Sequence, residues 1–259
     1  MDRLKKVQEI RDCLRNGGHT IGSWMQIPHP SIAEILGQAG YDWVAVDMEH
    51  GAIEAHQLPD LFRALELGGT LPLARIAEGH PKDCKQALDA GAGGIIVPMI
   101  ETAEQLIAVR DASRWPPAGT RGVGFSRANL FGKHFEPYRA EAQAPLLVAM
   151  IEHHKAVANL AGILEVDGLD AILIGPYDLS ASLGLTAQFN DPSFCSAMET
   201  IRSLCSQHRI PCGLHVVMPE PEAVASRIAE GYRFIAYSID AVFVTQSCGI
   251  PSVPGSFRF

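Results

Sequence analysis

Lysine is scarce in this chain and absent from every stretch that predicts a strand. The six lysines are Lys5, Lys6, Lys82, Lys85, Lys133 and Lys155. Enzymes that form an imine with a carbonyl substrate need a lysine held in the reaction site. Glycine-rich phosphate loops are missing too, since neither G-x-G-x-x-G after a strand nor G-x-x-x-x-G-K-[ST] occurs. The sequence therefore argues against Schiff-base chemistry and against nucleotide binding.

Excess basic charge and long apolar runs are also lacking. Lys and Arg total 21 against 29 Asp and Glu, and the net charge of −8 has the wrong sign for a nucleic-acid partner. Apolar runs such as 93–100 and 145–151 end well before the ~18 residues of a membrane span. Residues 1–18 predict a short helix without a signal-type apolar core. The six cysteines include no C-x-x-C pair, so we expect reduced thiols and a cytoplasmic protein.

The 259 residues are 47% hydrophobic and 19% charged, a composition typical of a globular core. Eight short apolar runs predict strands, at 19–25, 43–49, 71–76, 93–99, 146–152, 171–176, 211–216 and 234–238. Helical patterns lie between most of them, as at 31–39, 81–90 and 221–230, each followed by glycine. This alternation predicts an α/β fold, a TIM (β/α)8 barrel. We expect a single domain over 1–259, with an N-terminal helix at 1–18 and a C-terminal tail at 249–259.

Two carboxylates follow successive predicted strands, Glu152 after VAMI and Asp178 in GPYD. Barrel enzymes keep their chemistry at the carboxyl ends of strands, so these side chains are expected to lie together at the barrel mouth. Hard oxygen ligands without a thiolate suit Mg²⁺ or Mn²⁺. The alternative is that each carboxylate caps the helix after its strand. The amides after Asp178 could also hold a substrate carboxylate.

A cation and an imidazole end two further strands. Arg75 follows the apolar run LPLA and suits an oxyanion that develops in a reaction, unless it forms an internal ion pair with Asp47 or Glu49. His50 follows VAVDME and could act as a base. Asp89 lies in the last turn of helix 81–90, where a carboxylate opposes the helix dipole. It either orients His50 or is an ordinary solvated residue.

A long Pro/Gly-rich loop at 118–134 predicts a lid or wall of the site. Its cations Arg121, Arg127 and Lys133 could meet an acidic substrate, and Ser126 and Asn129 could meet a polyol. His215, in CGLHVV, either lines the pocket or is a satisfied core histidine.

Several segments resemble one family, in collinear order over about 20–245. They are GYDWVAVDMEHG (40–51), PLARI (72–76), QALDAGAGGIIVPMIETAEQ (86–105), RWPPAGTRGVG (114–124), VAMIE (148–152) and ILIGPYDLSASLG (172–184). Together they resemble the HpcH/HpaI class II aldolases, metal-dependent pyruvate aldolases on a TIM barrel. The resemblance implies reversible cleavage of a 4-hydroxy-2-oxo acid to pyruvate and an aldehyde through a metal-bound enolate.

The resemblance also assigns roles. It makes His50 the base, Asp89 its partner and Arg75 the stabiliser of the oxyanion. Glu152 and Asp178 become ligands of a divalent metal, Mg²⁺ first, with Mn²⁺ or Co²⁺ accepted by the same oxygens.

The remaining implications concern the substrate and the assembly. The backbone at Tyr177 and Asp178 is expected near the pyruvate carboxylate. Two positions depart from the family pattern: Met150 replaces a substrate-contacting Gln, and Tyr177 replaces an Ala, so both bear on substrate identity. The resemblance further implies a homo-oligomer, typically a hexamer.

Two other functions remain open at the sequence level. The barrel also resembles citrate-lyase-type enzymes, so a Claisen-type condensation of oxaloacetate with acetyl-CoA is the main alternative. A binding protein that retains the metal without turnover is a third. For the aldolase function, the expected partners are a small 2-oxo acid and an aldehyde.

Overall fold

A computed structural model describes residues 1–249. Its eight parallel strands pair in chain order and close into a barrel, β8 pairing with β1. The strands are β1 (Thr20–Met25), β2 (Trp43–Asp47), β3 (Leu71–Arg75), β4 (Gly94–Val97), β5 (Leu146–Ile151), β6 (Ala171–Ile174), β7 (Cys212–Val216) and β8 (Phe234–Ile239). Each overlaps a predicted run, and the (β/α)8 fold is confirmed. The predicted tail at 249–259 lies outside the described residues except for Gly249.

Helices surround the barrel: α1 (Arg3–Arg15), α2 (Pro30–Gln38), α3 (Leu58–Leu67), α4 (Pro81–Ala90), α5 (Ala103–Ser113), α6 (Phe135–Ala142), α7 (His154–Ala158), α8 (Leu160–Leu164), α9 (Pro176–Ser182), α10 (Pro192–His208), α11 (Pro221–Ala229) and α12 (Asp240–Ser247). The three helices predicted in detail end beside glycines with positive φ, Gly40, Gly91 and Gly231. Glycine adopts this left-handed conformation without steric cost, which explains the helix ends. Among residues 1–249, no helix has the length and hydropathy required to cross a membrane.

The helix predicted at the N-terminus closes one end of the barrel. Val7, Ile10 and Leu14 of α1 are buried in the cluster that fills the barrel interior. In that interior Trp43 stacks on Phe234 with ring centroids 4.3 Å apart. Glycine is required opposite this stack, because a Cβ on residue 22 would lie 2.1 Å from the Trp43 ring. The opposite end, where the strands end, is therefore the open mouth.

The loop at 118–134 does not form the predicted lid over this mouth. Arg127, in a 3-10 segment (Arg127–Gly132), binds Glu66 at 2.5 Å and the Ala90 carbonyl at 3.1 Å. Both partners lie at the ends of helices that run toward the closed end of the barrel. Arg121 is buried and donates to the Tyr138 hydroxyl at 3.0 Å. These arginines stabilise the closed end, and within one chain they do not reach a substrate at the mouth.

The amide predicted for polyol binding is also structural. Asn129 is fully buried, and its Oδ1 accepts hydrogen bonds from the backbone of Ser126 and Gly132 at 3.0 Å each. Its Nδ2 donates to the Gly124 carbonyl at 2.7 Å. Because these bonds satisfy the side chain, Asn129 shapes the loop itself.

Candidate active site

The polar residues that end the strands meet in a cavity of about 290 Å³ at the barrel mouth. Its lining is Trp24, Gln26, His50, Arg75, Met150, Gly175, Pro176, Tyr177, Asp178, His215, Val217 and Ile239. A larger cavity of about 480 Å³ lies outside the barrel between α10 and α11, and it shares Tyr177 and His215 with the mouth. The mouth is the candidate active site, because the predicted acidic, basic and imidazole groups converge there.

Arg75 is the buried cation of the mouth, and Asp47 holds it. Its Nε and Nη2 donate to the two oxygens of Asp47 at 2.8 and 2.6 Å, and Gln26 donates to the same carboxylate at 2.8 Å. Burial alone would raise the pKa of Asp47, but hydrogen bonds from Arg75 outweigh it and the pKa lies below its ordinary value. The internal ion pair considered from the sequence therefore forms.

The third guanidinium nitrogen of Arg75, Nη1, makes no hydrogen bond to Asp47. Nη1 lies 3.9 Å from the Met150 sulfur and 3.2 Å from Glu49 Oε2. The guanidinium also stacks 4.4 Å from the centre of the Trp24 ring. Glu49 pairs with Nη1 by charge, but its Oε2 accepts no hydrogen bond, and a thioether is a weak acceptor, so Nη1 retains donor capacity. Arg75 is thus fixed by its hydrogen bonds to Asp47, has Glu49 as a second ion-pair partner, and can still donate from Nη1 to a ligand.

Glu152 directly follows β5 and is almost fully buried. Its Oε1 accepts a hydrogen bond from the Met99 amide at 2.7 Å, and Met99 adopts an uncommon left-handed φ of 53° to donate it. Burial, with further contributions from Glu49 and Asp178, raises the pKa of Glu152 to about 7. A carboxylate held among other acids and away from water is an unfavourable anion, which a bound cation would stabilise.

Glycine is required beside Glu152. A Cβ on Gly175 would lie 2.5 Å from Glu152 Oε2, so the backbone packs directly against this carboxylate oxygen. Gly175 is also the N-cap of α9, which places Asp178 inside the first helical turn. The N-cap of α7 is His153. Neither Glu152 nor Asp178 is therefore a capping residue, and that alternative is not supported.

The acidic groups do not form a large coordination cluster. Among residues 1–249 no three His, Cys, Asp or Glu side chains lie close enough together to hold a metal ion. Glu152 and Asp178 are near enough for the charge of Asp178 to act on Glu152, and Gly175 leaves the space beside Glu152 Oε2 free of a side chain. Two oxygen ligands with open positions suit a cation such as Mg²⁺, which retains several waters.

The structure separates His50 from Asp89. His50 is exposed at the mouth, with Nε2 3.9 Å from Glu49 Oε2. Asp89 lies in the last turn of α4, toward the closed end of the barrel. Burial raises the pKa of Asp89, against the opposing charges of Arg121 and Lys85. One chain therefore does not bring the predicted base and its partner together.

Three other mouth residues set the shape of the cavity. Met150 is buried beneath Arg75, and Tyr177 is 50% exposed with its ring 5.1 Å from that of Phe189. His215 meets Trp24 edge-on, with ring centroids 5.8 Å apart. Its Nε2 is buried and has no hydrogen-bond partner among the described residues.

Sequence reasoning missed the role of Asp47 and Gln26. The sequence offers Asp47 as an ion-pair partner of Arg75, and the structure shows that it also orients the guanidinium. Asp47 and Arg75 are directly paired residues at the ends of β2 and β3, so the strand register explains their contact. Gln26 follows β1 outside any motif, and nothing in the sequence indicates its contact with Asp47.

A closed (β/α)8 barrel with carboxylates, an arginine and an imidazole at its mouth defines a barrel enzyme. The family model for HpcH/HpaI aldolase/citrate lyase matches residues 20–246, and the chain belongs to this family.

Individual relatives agree with this assignment. The chain is 38% identical over 248 residues to a 4-hydroxy-2-oxovalerate aldolase of Novosphingobium aromaticivorans, covering 94% of this chain and 92% of the relative. It is 38% identical over 246 residues to a hydroxypyruvate/pyruvate aldolase of Roseobacter denitrificans, covering 93% and 94%. A solved family protein from Burkholderia cenocepacia superimposes with a TM-score of 0.86 at 29% identity, covering 92% and 95%.

Proposed function

We propose that this chain is a divalent-metal-dependent aldolase that cleaves a 4-hydroxy-2-oxo acid to pyruvate and an aldehyde. The observation that carries the proposal is the convergence of Glu152, Asp178 and Arg75 at the barrel mouth. Family membership supplies the reaction class, and this geometry supplies groups suited to it. We also propose a cytoplasmic location, which the six unpaired cysteines support.

Glu152 and Asp178 would hold the metal, with Mg²⁺ expected first and Mn²⁺ or Co²⁺ as substitutes. When bound, such an ion polarises the carbonyl of a 2-oxo acid. The amides of Tyr177 and Asp178 belong to the first turn of α9, where they could donate to the substrate carboxylate. The negative charges of Glu152 and Asp178 repel each other, and a bound cation would relieve this repulsion.

Arg75 Nη1 would stabilise the negative charge that develops on the 2-oxo oxygen during carbon–carbon cleavage. Asp47 fixes the guanidinium plane in advance, so little reorganisation is needed when that charge forms. His50 would take the proton of the 4-hydroxyl group, directly or through one water, from its exposed position at the mouth. Electrons of the C3–C4 bond then pass to the pyruvate fragment as the aldehyde leaves, and C3 of the resulting enolate takes a proton to give pyruvate.

We propose that Asp89 reaches His50 only from a second copy of the chain, in a homo-oligomer. The 3-10 segment that packs against α4, the helix of Asp89, and the loop before that segment form a face with exposed apolar side chains, Phe125 being 74% and Phe131 69% accessible. Exposed aromatic side chains of this kind are typical of protein interfaces. This face would dock against the mouth of a neighbouring copy and supply the carboxylate that the single chain does not.

The test is pyruvate release from a panel of 4-hydroxy-2-oxo acids, coupled to lactate dehydrogenase. The enzyme is measured as prepared, after EDTA, and after adding back Mg²⁺, Mn²⁺ or Co²⁺. We expect release that EDTA abolishes and a metal restores, and Glu152→Gln should need far more metal for the same rate. Pyruvate release by the wild type that EDTA does not reduce would contradict the assigned metal site.

A parallel assay supplies oxaloacetate and acetyl-CoA, because the family also includes citrate lyases. Release of free CoA with no pyruvate from any hydroxy-oxo acid would replace the aldolase with a Claisen-type enzyme. Pyruvate binding without turnover in either assay would indicate a binding protein.

A further inference from the structure

His215 has an unusual position among the histidines, because it lies inside the barrel mouth on β7. Its ring lines the cavity together with Arg75 and Trp24. The Nε2 atom is buried and makes no hydrogen bond within residues 1–249. A satisfied core histidine, the alternative left open by the sequence, has partners for both ring nitrogens. His215 Nε2 has none among the described residues.

The environment of the ring favours one tautomer. The Ser238 backbone attracts a proton on the imidazole, and because Nε2 is unpaired, we assign that proton to Nδ1. Ser238 has a left-handed φ of 55°, a conformation that non-glycine residues adopt rarely. Such strain is typical of functional sites, and here it accompanies the contact with His215. With Nδ1 carrying the proton, Nε2 holds a free lone pair.

The imidazole also stays neutral at physiological pH. Burial and the nearby charge of Arg75 lower the pKa of His215 to about 4. A neutral ring protonated at Nδ1 is a hydrogen-bond acceptor at Nε2. No described residue uses this capacity, because Nε2 has no hydrogen-bond partner among them. Burying an unused acceptor costs free energy, which a ligand donor recovers.

The position of His215 indicates which part of a ligand it meets. The proposed metal ligands Glu152 and Asp178 follow β5 and β6, so the 2-oxo acid end of the substrate lies there. His215 belongs to the next part of the wall, formed by residues on or just after β7, β8 and β1, together with Trp24, Gln26, Val217 and Ile239. Gln26 is held by its hydrogen bond to Asp47, and the other three side chains are mainly apolar. The fragment of the substrate beyond the cleaved bond therefore faces mainly apolar surface, and His215 Nε2 is a buried acceptor there that no described residue uses.

We infer that His215 Nε2 accepts a hydrogen bond from a hydroxyl group of the aldehyde fragment, which makes the enzyme selective for hydroxyaldehydes over aldehydes without that hydroxyl. The inference rests on the proposed aldolase function and names its substrate class. His215 is then a specificity-determining residue that contacts substrate, and it takes no part in breaking the carbon–carbon bond.

The experiment compares aldehydes that differ by one hydroxyl group. Pyruvate addition is measured with glycolaldehyde against acetaldehyde, and with lactaldehyde against propionaldehyde, at saturating metal. We expect kcat/KM to be about tenfold higher for each hydroxyaldehyde, the effect of one neutral hydrogen bond. In His215→Leu the ratio of kcat/KM between the two aldehydes of each pair should fall to about one.

Two variants separate recognition from structural damage. In His215→Gln a side-chain amide oxygen can reach the Nε2 position, so part of the hydroxyaldehyde preference should return. His19→Gln, at an exposed site near the closed end of the barrel, should behave as the wild type. A variant that merely distorts the mouth would slow both aldehydes of a pair equally.

The outcomes are distinguishable. Aldol addition by the wild type with no preference for hydroxyaldehydes, or an equal loss for both aldehydes in His215→Leu with no rescue by Gln, overturns the role of His215 and leaves the aldolase intact. No addition to any aldehyde by the metal-loaded wild type overturns the proposed function and this inference with it. Should His215→Leu fail to fold, the wild-type ratio and His215→Gln still decide the question.

Discussion

Asp47 holds Arg75 through two parallel hydrogen bonds of 2.8 and 2.6 Å, from adjacent strands of the barrel. This bidentate arrangement fixes the plane of the guanidinium and leaves Nη1 facing Met150 and the mouth. A buried ion pair contributes little net stability, because removing both charges from water offsets their attraction. We therefore interpret the pair as a device for orientation, which leads to a prediction about catalysis.

Arg75→Ala should reduce kcat by about 10²–10³, equivalent to ~2.7–4 kcal/mol of transition-state stabilisation, as for a lost oxyanion donor. The measurement is kcat and KM for pyruvate release on the best substrate. Arg11→Ala is the matched control, because Arg11 forms a similar bidentate pair with Asp170, at 2.7 and 2.9 Å, near the closed end. Arg11→Ala should lower stability and leave kcat unchanged. A near wild-type kcat in Arg75→Ala removes Arg75 from the mechanism.

The barrel could be predicted from the sequence because its strands are buried on both faces. The runs around Val44 and Leu73 are apolar without interruption, and β2 and β3 are buried along their whole lengths. Parallel strands in barrels have this composition. The sequence does not predict the position of the loop at 118–134. Its arginines suggest a wall of the substrate site by their charge, whereas Arg127 pairs with Glu66 near the closed end. Such a pairing is tertiary and leaves no local pattern.

Gly175→Ala should weaken metal binding. The new methyl group would lie 2.5 Å from Glu152 Oε2 and 3.4 Å from the Met150 Cε, so Glu152 must shift. Displacing a ligand in this way should raise the metal concentration needed for half-maximal activity by about 10–100-fold. Manganese titration of the EDTA-treated enzyme measures it. Gly162→Ala on α8 is the control, because its methyl would meet only Ala103 at 3.8 Å, an ordinary contact. An unchanged metal requirement in Gly175→Ala would show that Glu152 Oε2 is not a ligand.

His215 should make the protein less stable in mild acid. Its pKa is about 4 in the folded chain, against an ordinary value of 6.5. The unfolded chain therefore binds more protons between these values, so stability is complete above pH 6.5 and falls as pH drops toward 4. The loss from this one group between pH 7 and pH 5 is about 2 kcal/mol.

Denaturant unfolding of the wild type and His215→Leu at pH 7 and pH 5, at one protein concentration, checks this expectation. The free energy of unfolding should fall by about 2 kcal/mol more in the wild type than in the variant. The exposed His19→Gln should follow the wild type. Parallel pH dependences for wild type and His215→Leu would mean that the imidazole is not buried as a neutral group.

The individual site residues could be named from the sequence, whereas their grouping could not. Arg75 ends β3, and Glu152 and Asp178 closely follow β5 and β6, and a closed barrel brings these strand ends together. Asp89 is different, since it ends a helix, and a helix that returns alongside the barrel carries its last turn away from the mouth. Its link to His50 comes from the family resemblance, and a single chain does not supply it.

A subunit-mixing experiment tests whether Asp89 acts on a neighbouring copy. His50→Ala and Asp89→Ala should each be nearly inactive as pure assemblies. When the two variants are co-expressed with distinct tags and the mixed oligomer is isolated, some sites combine an intact His50 from one chain with an intact Asp89 from the next. Random mixing makes about a quarter of the sites complete, so about a quarter of wild-type activity should return. If both residues served the same chain, every mixed site would lack one of them and no activity would appear.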